Sequence, residues 1–239
     1  MSARLVAAAL LLGALSVTVG LGVAGWAAGG AVALGTVLLL DRGLRRSGAF
    51  SLGPANAVTY ARSLLVAGVT ALAASGGAAR MIVALTVVAL ALDGVDGAVA
   101  RRTGSVTALG ARFDMEVDAF LLLALCLVLA RSVGPWVLVL GLMRYAFVVA
   151  GLLLPWLTAP LPPRFSRKAV AAAQGVVLVT AVSGLLPPAA AVVALSGALA
   201  ALSWSFGRDV VWLARRPAEH SLAEQASPRA RDDVVRVAP

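Results

Sequence analysis

Long apolar runs alternate along the chain with short connections that are rich in glycine, proline or arginine. The runs are continuous and do not alternate with period two, so they predict helices and disfavour the strands of a β-barrel. A helix needs about 20 residues to cross the hydrocarbon core of a bilayer. Most of the runs are close to that length, and the pattern therefore predicts a series of membrane-spanning helices.

The first run, Val6–Leu40, holds 35 residues without a charge. As one helix it would measure roughly 50 Å, against a hydrocarbon core of about 30 Å. Glycines between positions 20 and 30 offer a place to reverse, so we expect two short spans near Val6–Val23 and Trp26–Leu40. A cleaved signal peptide is the alternative, because Arg4 precedes the run, but no polar mature region follows it.

Six further spans are predicted after a basic connector. They are Ala57–Ser75, Met81–Ala100, Thr107–Ala130, Trp136–Trp156, Ala169–Leu186 and Ala189–Leu213. The predicted fold is an all-α, polytopic membrane helix bundle with a six-helix core plus one or two N-terminal spans. We expect an N-terminal unit with its connector at residues 1–47, the core at 48–216, and a polar disordered tail at 217–239.

Composition supports the membrane assignment and excludes several kinds of catalytic and metal site. Apolar residues make up 61% of the chain and charged residues 13%, whereas soluble proteins carry about 25% charged residues. The single cysteine, Cys126, excludes an intramolecular disulfide. The single histidine, His220, lies in the polar tail, so histidine-centred catalysis and Cys/His zinc sites are excluded as well.

Basic residues outnumber acidic ones by 20 to 11, and most of them lie in the connections on one side of the predicted bundle. The positive-inside rule explains this bias and assigns that side to the cytoplasm. No basic patch is interleaved with aromatic residues, so we predict no nucleic-acid partner. The preference for arginine over lysine indicates a GC-rich bacterial genome, and we expect a bacterial plasma membrane protein.

Five of the 11 acidic residues fall within 26 positions, at the facing ends of two predicted spans: Asp93, Asp96, Asp114, Glu116 and Asp118. Carboxylates at membrane depth are costly and are functional by default. The first two are three residues apart, while Asp114 and Asp118 are four apart, so each pair shares a helix face. Because a basic turn joins the helices as an antiparallel pair, we expect these four carboxylates to converge.

Converging carboxylates repel one another unless cations lie between them. A hard divalent cation, Mg²⁺ or Mn²⁺, suits a set of oxygen ligands. The alternative is an ion-conducting or structurally paired cluster, with Arg62, Arg112 and Arg144 as partners. Glu116 is off the face that Asp114 and Asp118 share, and we expect it to pair with an arginine.

Small residues accompany the carboxylates, so a flat or phosphorylated ligand has room to approach the backbone at Gly97, Ala100 and Gly110. Arg101 follows on the same helix and is placed to meet a phosphate, for which its planar guanidinium is suited. Together these features predict a metal-dependent diphosphate site that faces the cytoplasm.

The complete pattern resembles the signature of the CDP-alcohol phosphatidyltransferase family: Asp93-x-x-Asp96-Gly97-x-x-Ala100-Arg101, eight residues, then Gly110-x-x-x-Asp114-x-x-x-Asp118. A weaker resemblance covers Asn56-x-x-Thr59-x-x-Arg62 and the six-span core. Many members carry a lysine soon after the last aspartate, whereas this chain has Ala119 and Phe120. The subfamily is therefore left open.

The resemblance implies a reaction in which the hydroxyl of an alcohol attacks the β-phosphorus of CDP-diacylglycerol and CMP is released, as a step of phospholipid biosynthesis. It implies that Asp93, Asp96 and Asp114 hold two divalent ions and that Asp118, near the second ion, is the general base. It further implies substrate binding by a larger set, in which small residues make room for the cytidine: Asn56, Thr59, Arg62, Gly97, Ala100, Arg101 and Gly110.

The resemblance also implies an acceptor pocket at Arg164, Arg167 and Lys168, for which membrane orientation alone is the alternative explanation. Glycerol 3-phosphate, an inositol phosphate, serine and phosphatidylglycerol are all open as acceptors, with a phosphorylated polyol favoured. Homodimers in membrane lipid are usual where this resemblance holds. Two other functions are the alternatives: an intramembrane prenyltransferase, whose aspartate motifs usually sit on two distant helices, and a divalent-cation transporter.

Overall fold

All regular structure is helical in the computed structural model, which describes residues 2–47, 54–103, 108–159, 161–162 and 164–226. Two short 3-10 turns, Pro135–Val137 and Pro155–Thr158, flank the sixth helix. The α-helices within the described ranges are α1 (Ser2–Val19), α2 (Val23–Ser47), α3 (Pro54–Ala74), α4 (Ala79–Thr103), α5 (Ala108–Val133), α6 (Leu138–Leu153), α7 (Phe165–Ser183) and α8 (Pro188–Ala226). Helices α3 to α8 correspond to the six predicted spans, and α1 and α2 to the N-terminal pair.

Five of the described helices are long and apolar enough to cross a membrane, namely α2, α3, α6, α7 and α8. The apolar part of α1, Ala3–Val19, is shorter. Helices α4 and α5 have 25 and 26 residues and carry the acidic residues that the sequence analysis singled out. The chain is therefore an all-helical, multi-pass membrane protein.

The N-terminal apolar run divides into two helices, as predicted. Helix α1 ends at Val19, and Gly20 has a φ of 76°, a left-handed conformation that glycine adopts at little cost. Helix α2 begins at Val23 and continues through the basic connector to Ser47. The two helices are joined at their other ends, where Arg4 forms a salt bridge of 2.7 Å with Asp41.

Helix α2 packs very closely against α3 along a seam of small residues formed by Gly25, Gly29, Ala71 and Ser75. A Cβ atom added to Gly29 would lie 2.8 Å from the Ala71 Cβ, and one added to Gly25 would lie 2.7 Å from the Ala71 carbonyl oxygen. Small residues of this kind let membrane helices approach backbone to backbone. The N-terminal pair is thus packed directly on the core.

Gly29→Leu is expected to destabilise the protein by about 1–3 kcal/mol, because the added side chain must displace Ala71 or Leu12. Gly30→Leu is the matched control, since a Cβ on Gly30 meets nothing within 4 Å. Thermal unfolding of both variants in detergent measures the difference. Equal melting temperatures would contradict the close α2–α3 seam.

Helix α3 lies at the centre of the bundle, where it contacts α1, α2, α4 and α5. Its side chains Val66, Val69 and Leu72 are almost fully buried. Because successive helices run in opposite directions, the N-terminal part of α3, the C-terminal part of α4 and the N-terminal part of α5 lie at the same end of the bundle. The fold therefore brings three separate segments to one place.

The other half of the core is formed by α5 to α8. Buried Gln174 of α7 donates a hydrogen bond of 2.9 Å to the Leu140 carbonyl oxygen of α6. Helix α8 continues to Ala226, beyond Pro217, where the sequence predicted that a disordered tail begins. Residues 227–239 lie outside the described residues, and the division into N-terminal unit, core and tail stays a prediction.

Candidate active site

Three carboxylates meet at one end of the bundle. Asp93 of α4 and Asp114 and Asp118 of α5 each offer one oxygen atom, and these three atoms lie within 4.8 Å of one another. The side chains are 45%, 33% and 42% exposed, respectively, so they line an accessible surface and are not sealed in the core. Three of the four predicted carboxylates thus come together.

Several other predicted site residues lie outside the part of the chain whose side chains the structure describes. On α4 these are Asp96, Gly97, Ala100 and Arg101, and on α3 it is Asn56. Their backbones belong to the two helices that carry Asp93 and Arg62. Their predicted roles stay predictions.

Arg62 of α3 is buried among the three carboxylates, with no exposed side-chain area. Its Nη1 lies 3.0 Å from Asp93 Oδ1 and also contacts Asp114 Oδ1, while Nη2 contacts Asp118 Oδ1. Nε donates a hydrogen bond of 3.1 Å to the Ala89 carbonyl oxygen of α4. Pairing with carboxylates is the alternative that the sequence leaves open for Arg62, and the structure shows that pairing. Substrate binding by Arg62 stays a prediction.

The charge balance of this cluster suits divalent cations. Among the side chains that the structure describes here, one guanidinium faces three carboxylates, so negative charges outnumber positive charges in these contacts. Arg62 contacts the Oδ1 atom of each carboxylate, and every carboxylate has a second oxygen. Carboxylate oxygens with residual negative charge are the ligands that Mg²⁺ and Mn²⁺ prefer. The residues present therefore fit a divalent cation, which they could hold beside the guanidinium.

Two smaller predicted residues adjoin the cluster. Thr59 is buried and lies one helical turn before Arg62 on α3. Gly110 lies one turn before Asp114 on α5. The role in substrate binding that the resemblance implies for both residues stays a prediction.

Glu116 lies apart from the cluster and pairs with Arg144 of α6, with 2.5 Å between Oε1 and Nη2. The expectation that Glu116 pairs with an arginine is thereby confirmed. On this side of α5 lies a mostly apolar groove of about 310 Å³ between α2, α3, α5 and α6. Its lining includes Glu116 and Tyr145 but none of the three clustered aspartates. The groove is thus distinct from the carboxylate site.

A second polar cluster connects the start of α7 to α8. Arg167 Nε lies 3.6 Å from Asp209 Oδ2, and Arg208 Nη2 donates a hydrogen bond of 2.9 Å to Ser166 Oγ. The sequence predicts a role for Arg167 together with Arg164 and Lys168, whereas Arg208 and Asp209 were not predicted. An acidic residue inside the apolar span Ala189–Leu213 was the signal that could have revealed Asp209.

Comparison with protein families gives a match to the family model of the CDP-alcohol phosphatidyltransferases over residues 53–207. The chain belongs to the CDP-alcohol phosphatidyltransferase family. The match contains the three clustered aspartates and Arg62, and leaves α1 and α2 outside it. Comparisons with curated proteins and with solved structures found no match. Membership of this family identifies the protein as a membrane transferase that acts on a CDP-alcohol.

Proposed function

We propose that this transferase moves the phosphatidyl group of CDP-diacylglycerol to an alcohol acceptor and releases CMP, as a step of phospholipid biosynthesis. The observation that carries the proposal is the convergence of Asp93, Asp114 and Asp118 within 4.8 Å in a chain of this family. These residues, together with Asp96, would hold two Mg²⁺ or Mn²⁺ ions. Bound there, the ions would neutralise the diphosphate and the departing CMP.

The chain's own side chains account for the remaining steps. Asp118 takes the proton of the acceptor hydroxyl, whose oxygen then attacks the β-phosphorus of the donor. The bond between that phosphorus and the CMP oxygen breaks, and CMP leaves with the electron pair. Asp118 is suited to this role because its side chain is 42% exposed and its orientation is fixed by Arg62.

Substrate recognition is assigned to the residues around the carboxylates. Gly97, Ala100 and Gly110 leave space for the cytidine, and Arg101 binds a phosphate of the donor. Asn56, Thr59 and Arg62 complete this side of the site from α3. Arg164, Arg167 and Lys168 form the acceptor pocket, and their positive charge favours a phosphorylated polyol as the acceptor.

The proposed setting is a bacterial plasma membrane, with the site facing the cytoplasm. Arginine and lysine residues are concentrated in the connections at the carboxylate end of the bundle, and Arg80 and Arg131 lie at the opposite end. Cytoplasmic connections carry this excess in membrane proteins. We further propose that the protein acts as a homodimer, which is usual for the family pattern.

Release of CMP tests the proposed function directly. The purified protein, supplied with CDP-diacylglycerol and Mg²⁺, is expected to release CMP with at least one of four acceptors: glycerol 3-phosphate, an inositol phosphate, serine or phosphatidylglycerol. EDTA should abolish the release, and added Mg²⁺ or Mn²⁺ should restore it, because the carboxylates need divalent cations to bind the diphosphate.

Two outcomes would contradict this function and identify its rivals. Absence of CMP with every acceptor, together with divalent-cation flux in reconstituted vesicles, would indicate a transporter. Consumption of a prenyl diphosphate without use of CDP-diacylglycerol would indicate a prenyltransferase.

A further inference from the structure

Asp209 is a buried carboxylate that the proposed reaction does not use. The residue is 6% exposed, and it lies on α8, a helix long and apolar enough to cross a membrane. Its Oδ2 is 3.6 Å from Arg167 Nε, whereas Oδ1 is buried without a hydrogen-bond partner in the described part of the chain. A buried carboxylate carries a high desolvation cost. A role that requires its charge would explain its presence.

The contacts of Arg167 indicate what that role is. Nε faces Asp209, and Nη2 donates a hydrogen bond to the Pro162 carbonyl oxygen, just before α7. An ion pair at one nitrogen and a hydrogen bond at another restrict the orientation of the guanidinium, which is 29% exposed. A fixed, partly exposed guanidinium is suited to phosphate, because its geometry of donors matches the oxygens.

A neighbouring contact holds the same two helices together. Arg208, which precedes Asp209 on α8, donates to Ser166, which precedes Arg167 on α7. Two consecutive residues of one helix thus bind two consecutive residues of the other. The first turn of α7 is held against α8, and Arg164 and Lys168 are held with it. Among the described side chains at this place, cations outnumber the carboxylate of Asp209, so this surface attracts anions.

We propose that Asp209 is a positioning residue of the acceptor site, which orients Arg167 toward the phosphate of a phosphorylated acceptor. Asp209 acts through Arg167 and does not itself touch the substrate. It lies beyond residues 53–207, the range matched by the family. The acceptor chemistry rests on the proposed function, whereas affinity of this site for phosphate does not depend on it.

Asp209→Asn tests the positioning role in the reaction, because it preserves the size of the side chain and removes its charge. With glycerol 3-phosphate or an inositol phosphate as acceptor, KM for the acceptor is expected to rise about tenfold, as for a weakened charge-assisted contact. The kcat at saturating acceptor and the KM for CDP-diacylglycerol should be unchanged. Asp209→Glu should restore much of the acceptor affinity.

Glu116→Gln is the matched control, because Glu116 also pairs with an arginine but lines the groove between α2, α3, α5 and α6. It should leave the acceptor KM unchanged. An unchanged acceptor KM in Asp209→Asn would overturn the proposal. So would a loss of kcat that is equal for all acceptors and accompanies a lower melting temperature. The proposal would also fail if the wild-type protein were active only with unphosphorylated acceptors.

A binding measurement separates this proposal from the proposed function. Inorganic phosphate, titrated without divalent cations, is expected to raise the melting temperature of the wild-type protein. Arg167→Ala should abolish the rise, and Asp209→Asn should require about tenfold more phosphate. These results without any CMP release would leave the positioning role standing and refute the phosphatidyl transfer. Normal CMP release without any effect of phosphate on the wild-type melting temperature would support the phosphatidyl transfer and refute the positioning role.

Discussion

Asp118→Asn is expected to lower the rate of CMP release by about 10²–10⁴-fold, which is the usual contribution of a general base. The amide cannot accept the proton of the acceptor hydroxyl. Binding of CDP-diacylglycerol should be largely spared, because Asp93 and Asp114 keep their places in the cluster. Steady-state CMP release, together with equilibrium binding of the CDP-lipid, measures the two effects separately.

The matched control for this variant is Glu116→Gln, two residues earlier on α5. Its carboxylate pairs with Arg144 and does not belong to the cluster, so activity should stay close to that of the wild type. Wild-type-like turnover in Asp118→Asn would remove the general-base role. Loss of CDP-lipid binding in the same variant would indicate that Asp118 acts chiefly in binding.

Arg62→Met is expected to lower the free energy of unfolding by about 3 kcal/mol in buffer without divalent cations. Three carboxylates then lose the buried guanidinium that they share, and removing one partner from a buried ion pair is strongly destabilising. The value lies at the low end of the usual range because the carboxylates are a third to nearly half exposed. Thermal unfolding in EDTA measures the loss.

Added Mg²⁺ should recover part of the stability of Arg62→Met, since a divalent cation can take over the role of counterion. Arg112→Met is the control, because Arg112 is an exposed arginine close to the cluster on α5 and its loss should change little. If Mg²⁺ stabilises Arg62→Met no more than it stabilises the wild type, the guanidinium and the cations do not share these carboxylates.

The sequence predicted the helices well because apolar length and breaks at glycine and proline are local properties. The reversal of the first run occurs at Gly20, within the expected region. Helix ends were less accurate, and α2 and α8 extend to Ser47 and Ala226. Bilayer thickness limits the apolar part of a span, whereas backbone hydrogen bonding continues the helix into water.

Part of the candidate site was predictable from the sequence in the same way, and part was not. Convergence of Asp93, Asp114 and Asp118 was predictable because it follows from the spacing of aspartates within two helices that are consecutive in the sequence. The central position of Arg62 was not, because its partners on α5 are 52 and 56 residues away and depend on how α3 packs. Asp209 was missed for the same reason, since no motif connects α8 with the start of α7.

The close contact of α2 with α3 affects the position of the site as well as the stability of the N-terminal pair. Ala71 of the seam and Arg62 are nine positions apart on α3, so they point about 180° away from each other around the helix axis. One side of α3 is held by close, uncharged contact with α2. The opposite side carries the guanidinium of Arg62, which contacts the three carboxylates of the site. Glycines without reactive groups therefore help to align the charge in the reaction centre. An added methyl group at Gly25 or Gly29 is expected to lower turnover.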